Sequence, residues 1–143
     1  MAATRTANAH WEGSLMEGSG KVELTSSGLG AYDVSWPART DEEANGRTSP
    51  EELIAAAHST CFSMALSHGL AGAGTPPSTV DTRADVTFQA GKGITGVKLT
   101  VKAAVPGITA EQFEQAAQDA KANCPVSKAL TGTTITLDAT LVE

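Results

Sequence analysis

A chain of 143 residues is the size of one domain and can bury roughly two-thirds of the surface its unfolded form exposes, so a single domain over residues 1–143 is expected. Ten Lys and Arg against sixteen Asp and Glu give a net charge of −6. The basic residues are scattered and form no stripe, which argues against a nucleic-acid partner. No apolar run follows the first five residues, so neither a secretory signal nor a membrane anchor is expected, and a cytoplasmic setting is.

Residues 4–11 alternate loosely, Gly13 breaks the pattern, and residues 20–25 resume it with Val22 and Leu24 on one side, which predicts a β-hairpin. Tyr32, Val34 and Trp36 continue the alternation as a third strand. A polar stretch carrying Arg39 and Arg47 among acids follows. By spacing alone both arginines read as members of a solvated loop.

Residues 49–69 predict one long helix. Ser49 is a good N-cap, Pro50 suits the first helical position, and Glu52 stands where it would complete a capping box. Between Leu53 and Leu66 only His58, Ser59, Thr60, Cys61 and Ser63 are polar, so no face is meant for water and the helix belongs in a core. It is too short and too interrupted to span a bilayer.

Gly72, Gly74, Pro76 and Pro77 then punctuate the chain, and the period changes. Val80, Thr82, Ala84, Val86 and Phe88 mark one half-buried strand, and Val97, Leu99, Val101, Ala103 and Val105 mark its antiparallel neighbour across a Gly91–Gly93 turn. Thr109 with Gln112 forms a capping box opening a helix with an apolar stripe at Phe113, Ala116, Ala117 and Ala120. Cys124 precedes Pro125 at the start of a short helix ending near Leu130, and residues 134–142 alternate as the last strand.

The order β-β-β-α-β-β-α-α-β is α+β, with antiparallel sheets around a central buried helix. Two three-stranded sheets barely cover a helix that is apolar on every side. A homodimer in which two such helices pack together would complete the burial.

Cys61 and Cys124 are the only cysteines, and in a reducing compartment a permanent disulfide between them is not expected. His10, His58 and His68 never stand at zinc-ligand spacing, so neither a metal nor another cofactor is expected. His58 lies one turn before Cys61, a spacing that more often reflects local packing than half a metal site. The plain reading of Cys61 is a small buried hydrophobe. Cys124, at a helix start, faces unpaired amide hydrogens that favour thiolate.

Several segments together resemble the osmotically inducible protein C family, the OsmC/Ohr hydroperoxide reductases. They are residues 9–13 (AHWEG), 50–53 (PEEL), 56–58 (AAH), 61–66 (CFSMAL), 105–108 (VPGI) and 123–127 (NCPVS), and the resemblance runs nearly end to end. The Trp11 motif and residues 64–66 look more like the OsmC branch. The resemblance implies an intertwined homodimer that reduces organic hydroperoxides, and hydrogen peroxide less well, in oxidative or osmotic stress defence. It implies Cys61 as peroxidatic thiol, Cys124 as resolving thiol, Arg39 as the cation beside Cys61 and Glu51 as its carboxylate partner, with Arg47 a rival for the cation. An external dithiol, for example of dihydrolipoyl type, would be the reductant.

The chemistry agrees with those roles. A buried thiol resists ionisation, and a guanidinium restores the thiolate that attacks the O–O bond. Apolar side chains such as Phe62 and Met64 would favour alkyl substrates. Glu51 lies ten residues before Cys61, about 15 Å of helical rise, so either the helix is broken or Glu51 serves the partner's Cys61; the second is favoured. Two other readings are a non-enzymatic redox-sensing or small-molecule-binding dimer and a structural dimer with inert thiols.

Overall fold

The computed structural model describes residues 1–143. The backbone gathers into two compact units, Met1–Leu53 and Ile54–Glu143. The first carries an antiparallel sheet of β1 (Asn8–Glu12), β2 (Ser19–Glu23) and β3 (Ala31–Val34), with β2 in the middle. The hairpin predicted from the alternation is present, with Ala9 opposite Val22 and Trp11 opposite Gly20. Glycine is required at that second pair. A Cβ on Gly20 would fall 2.4 Å from the His10 carbonyl oxygen and 2.8 Å from the Trp11 ring.

Trp36 does not continue the third strand. β3 ends at Val34, and Ser35 caps a short helix, α1 (Trp36–Thr40), its hydroxyl accepting from the Ala38 N–H at 3.2 Å. A serine cap followed by Pro37 in the first turn is a strong local start signal, and here it overrides the alternation. Arg39 therefore rides on the last turn of a helix and not in a solvated loop.

The long helix α2 (Pro50–Gly72) runs unbroken. Ser49 Oγ accepts from the Glu52 N–H at 3.1 Å, as the cap predicts, while the Glu52 carboxylate accepts from Thr48 Oγ1.

The second unit holds most of α2 with β4 (Thr79–Gln89), β5 (Gly93–Ala104), α3 (Ala110–Asn123), α4 (Pro125–Ala129) and β6 (Ile135–Val142). β5 is central and antiparallel to β4, but parallel to β6. The expectation of purely antiparallel sheets is thus corrected. The chain leaves β5 at one end and returns through α3 and α4, a crossover long enough to bring the next strand back in the same direction. Both arms of the Thr109–Gln112 capping box are formed.

The core lies where β5 meets the helices. Val97, Leu99, Val101 and Ala103 pack with Phe62, Leu66 and Leu70 of α2 and with Phe113 and Ala117 of α3. His58, Phe62, Leu66 and Leu70 are buried at four-residue intervals, which places them on one face of α2. Ala57, Thr60, Met64 and His68 are exposed on another, Met64 to 68 %. The central helix is therefore buried on one side only within a single chain. The first unit buries no apolar side chain at all; only its Ser35 and Glu51 fall in the buried class.

Candidate active site

The Cys61 and Cys124 side chains meet in the second unit, both as free thiols, close enough to share a hydrogen bond. Two local signals bring them together. Cys61 projects from α2 beside the core residue Phe62, and Cys124 is at once the C-cap of α3 and the N-cap of α4. Its own N–H bonds the Ala120 carbonyl at 2.8 Å, which fixes the corner. Cys124 is fully buried and Cys61 partly so.

Burial pushes the Cys61 thiol above its ordinary pKa, because a thiolate there would lose solvent. The Val126 N–H at the start of α4 donates toward the sulfur and opposes that rise, while the neighbouring Cys124 adds to it. The net direction is upward. The local environment supplies one amide donor to the thiolate, and a cation is still needed to make it a ready nucleophile.

The first unit brings together the other two predicted residues. Arg39 grips Glu51 through Nε at 3.0 and 3.2 Å and Nη2 at 3.0 Å. This bidentate pair is mostly shielded, with the Glu51 side chain only 8 % exposed. The guanidinium also lies 5.9 Å from the Trp36 ring centroid, a cation–π distance. Arg47 instead donates to Ser35 Oγ at 3.4 Å, so the carboxylate's partner is Arg39. Beside the pair, Trp11, Val34, Trp36, Arg39 and Leu53 help line an open, largely apolar cavity of about 270 Å³.

Two residues beside the thiols, Val126 and Ser127, were missed from sequence, and His58 was read there as local packing. Val126 contributes through its backbone, which leaves no mark on residue identity. Ser127 and His58 form a buried hydrogen bond of 2.8 Å. Their signal was their matched spacing, His58 three residues before Cys61 and Ser127 three after Cys124. No three His, Cys, Asp or Glu side chains gather in a way that could hold a metal ion.

Comparison with known proteins bears on this arrangement. A family model described as OsmC-like protein matches residues 41–138. Over 141 residues, 96 % of this chain and 96 % of the relative, the sequence is 45 % identical to Peroxiredoxin OsmC of Escherichia coli strain K12. The chain belongs to the OsmC family. Among solved structures, an organic hydroperoxide resistance protein OsmC from Legionella pneumophila superposes with a TM-score of 0.71 at 27 % identity, covering 97 % of this chain and 99 % of that one. An OsmC-like protein from Mycoplasma pneumoniae matches with a TM-score of 0.74 over the full length of both chains, at 14 % identity, and so speaks for the OsmC fold alone. The α+β architecture of two three-stranded sheets and four helices is that of OsmC proteins.

Proposed function

We propose that this peroxidase of the OsmC family reduces organic hydroperoxides to alcohols through a Cys61 sulfenic acid and a Cys61–Cys124 disulfide, with hydrogen peroxide a poorer substrate. The observation that carries the reading is the contact of two free thiols, one of them receiving the Val126 N–H.

The Cys61 thiolate attacks the terminal peroxide oxygen, the O–O bond breaks, and the alkoxide leaves with a proton as alcohol. Cys61 keeps one oxygen as sulfenic acid. The Cys124 sulfur then attacks the Cys61 sulfur, and the hydroxyl leaves with the Cys124 proton as water. An external dithiol, with the dihydrolipoyl type as a candidate, reduces the disulfide by two exchange steps. Arg39, held by Glu51, is the cation that lowers the Cys61 pKa and polarises the bound peroxide.

The working molecule in this reading is a cytoplasmic, intertwined homodimer, with each Cys61 paired to the partner's Arg39 and Glu51. Two observations support it. Three strands with no buried apolar side chain do not make a stable unit alone, and α2 leaves Met64 and its neighbours uncovered. The two units are then parts of one domain spanning residues 1–143, completed by the second chain.

The test is a steady-state assay of cumene hydroperoxide and hydrogen peroxide with dithiothreitol and dihydrolipoyl donors. Many turnovers per Cys61, with the organic substrate preferred, are expected. A single stoichiometric oxidation with no turnover would refute the enzyme and support a redox-sensing dimer.

A further inference from the structure

His58 is a polar side chain in the middle of the core. It is fully buried, its Nε2 lies 2.8 Å from Ser127 Oγ, and its Nδ1 has no partner. An imidazole so placed has half its hydrogen-bonding capacity unmet, a cost that an aliphatic residue would avoid. With Nδ1 unpartnered, the neutral tautomer carrying its proton on Nε2 leaves only a lone pair unpaired, so Nε2–H donates to the serine hydroxyl. The bond links α2 one turn before Cys61 to α4 one turn after Cys124, residues 69 positions apart.

Val126 and Leu130 pack α4 against the core, and the His58–Ser127 bond is the side-chain hydrogen bond that ties it to α2. α4 is five residues long, and Cys124 gives it no side-chain cap. A helix of that length has no stability of its own. Yet its start carries both the resolving thiol and the amide that faces Cys61. Disulfide closure demands narrow geometry, with the two Cα atoms within about 7 Å and a restricted dihedral, so drift of α4 would act on the closing step.

We propose that the His58–Ser127 hydrogen bond is a clasp that holds α4 in register with α2, and that His58 and Ser127 are positioning residues for the attack of Cys124 on the Cys61 sulfenic acid. The clasp rests on the cysteine roles given above. Its function is kinetic: a fast closure leaves the sulfenic acid little time to meet a second peroxide, and the clasp thereby limits over-oxidation of Cys61.

The test follows reduced protein given one equivalent of cumene hydroperoxide, with rapid quenching, dimedone trapping of sulfenic acid and intact mass of the disulfide. Ser127→Ala removes one oxygen, and His58→Asn moves the amide to the position of Nδ1. Both should slow closure at least about fivefold, the effect of losing one buried hydrogen bond. His58→Gln places its amide where Nε2 lies and should restore closure to near the wild-type rate. The bimolecular oxidation of Cys61 should slow less than closure in Ser127→Ala and His58→Asn, because drift of α4 weakens only the Val126 amide's hold on the thiolate while closure needs Cys124 itself in reach, and it should stay near the wild-type rate in His58→Gln. Closure at wild-type speed in Ser127→Ala and His58→Asn would overturn the clasp, and so would equal slowing of both steps, which would mark a merely structural contact. Failure of His58→Gln to exceed His58→Asn would overturn it too. Absence of a disulfide in the wild-type protein would instead overturn the cysteine roles, and the clasp with them.

Discussion

If Glu51 acts across the dimer, two inactive chains should make one working site. Glu51 and Cys61 stand ten residues apart on a helix with no break, so about 15 Å of rise separates them. At that range two unit charges interact by about 1 kcal/mol at an effective dielectric of 20 and by only a few tenths in water, before salt screening. Arg39 neutralises the carboxylate in addition. Glu51 therefore has little direct hold on its own chain's thiol. In a mixed dimer of Glu51→Ala and Cys61→Ser chains, the surviving Cys61 would be served by the intact Glu51 opposite it, giving about half the activity of a wild-type dimer. Unfolding and refolding the two variants at equal amounts makes about half the dimers mixed, so the mixture should reach about a quarter of wild-type turnover per chain. Peroxidase assay of the mixture beside each parent reads this directly. A mixture no more active than the average of its parents would refute the trans arrangement, and a fully active Glu51→Ala parent would remove Glu51 from the site.

Replacing Arg39 with Met should lower the rate of Cys61 oxidation at neutral pH about tenfold or more, because an adjacent cation shifts a thiol by one or more pH units. The pH at which the rate rises should move upward, a shift that stopped-flow measurement across pH would detect. Cys124→Ser should leave sulfenic acid at Cys61 after one equivalent of peroxide and sulfinic acid after an excess, as read by intact mass. Burial holds the His58 pKa below its ordinary value, so the unfolded chain takes up a proton that the folded one refuses. Stability should be full above about pH 6.5 and decline below it until the folded-state pKa is passed. Urea midpoints should show a smaller loss on acidification in His58→Gln than in the wild type.

Strands and caps were legible where one local signal stood alone. The alternation from Val80 to Val105 and the Thr109–Gln112 box appear as read. Trp36 shows what happens when two signals overlap: period-two alternation favoured a strand, while Ser35 and Pro37 favoured a helix start, and the cap won. The direction of β6 was not written in its own residues. It follows from the path through α3 and α4, a property of the crossover that residues 134–142 do not carry. The Arg39–Glu51 pair was out of reach of spacing for a related reason, because it joins two helices brought together by a bridge between Val34, just before the first, and Thr48, just before the second. Only the resemblance to the OsmC family pointed to it.

The cysteine helix was legible as a core element, and its one-sided burial gives that reading a different weight. Hydropathy could not show which face would lack a neighbour, since the buried face includes the polar His58 and the uncovered one the apolar Ala57 and Met64. Within its own unit Cys61 has burial and Cys124 driving its pKa up and only the Val126 amide opposing them. In the proposed reading the missing charge is Arg39, fixed to a carboxylate 8 % exposed, a pair that reads as structural in isolation. If association brings that pair to the thiol, as proposed, ionisation of Cys61 depends on assembly. A separated chain should then react with peroxide as slowly as Arg39→Met. Measuring Cys61 oxidation across a dilution series that crosses the dimer dissociation range tests this, and a rate independent of protein concentration through that range would contradict it.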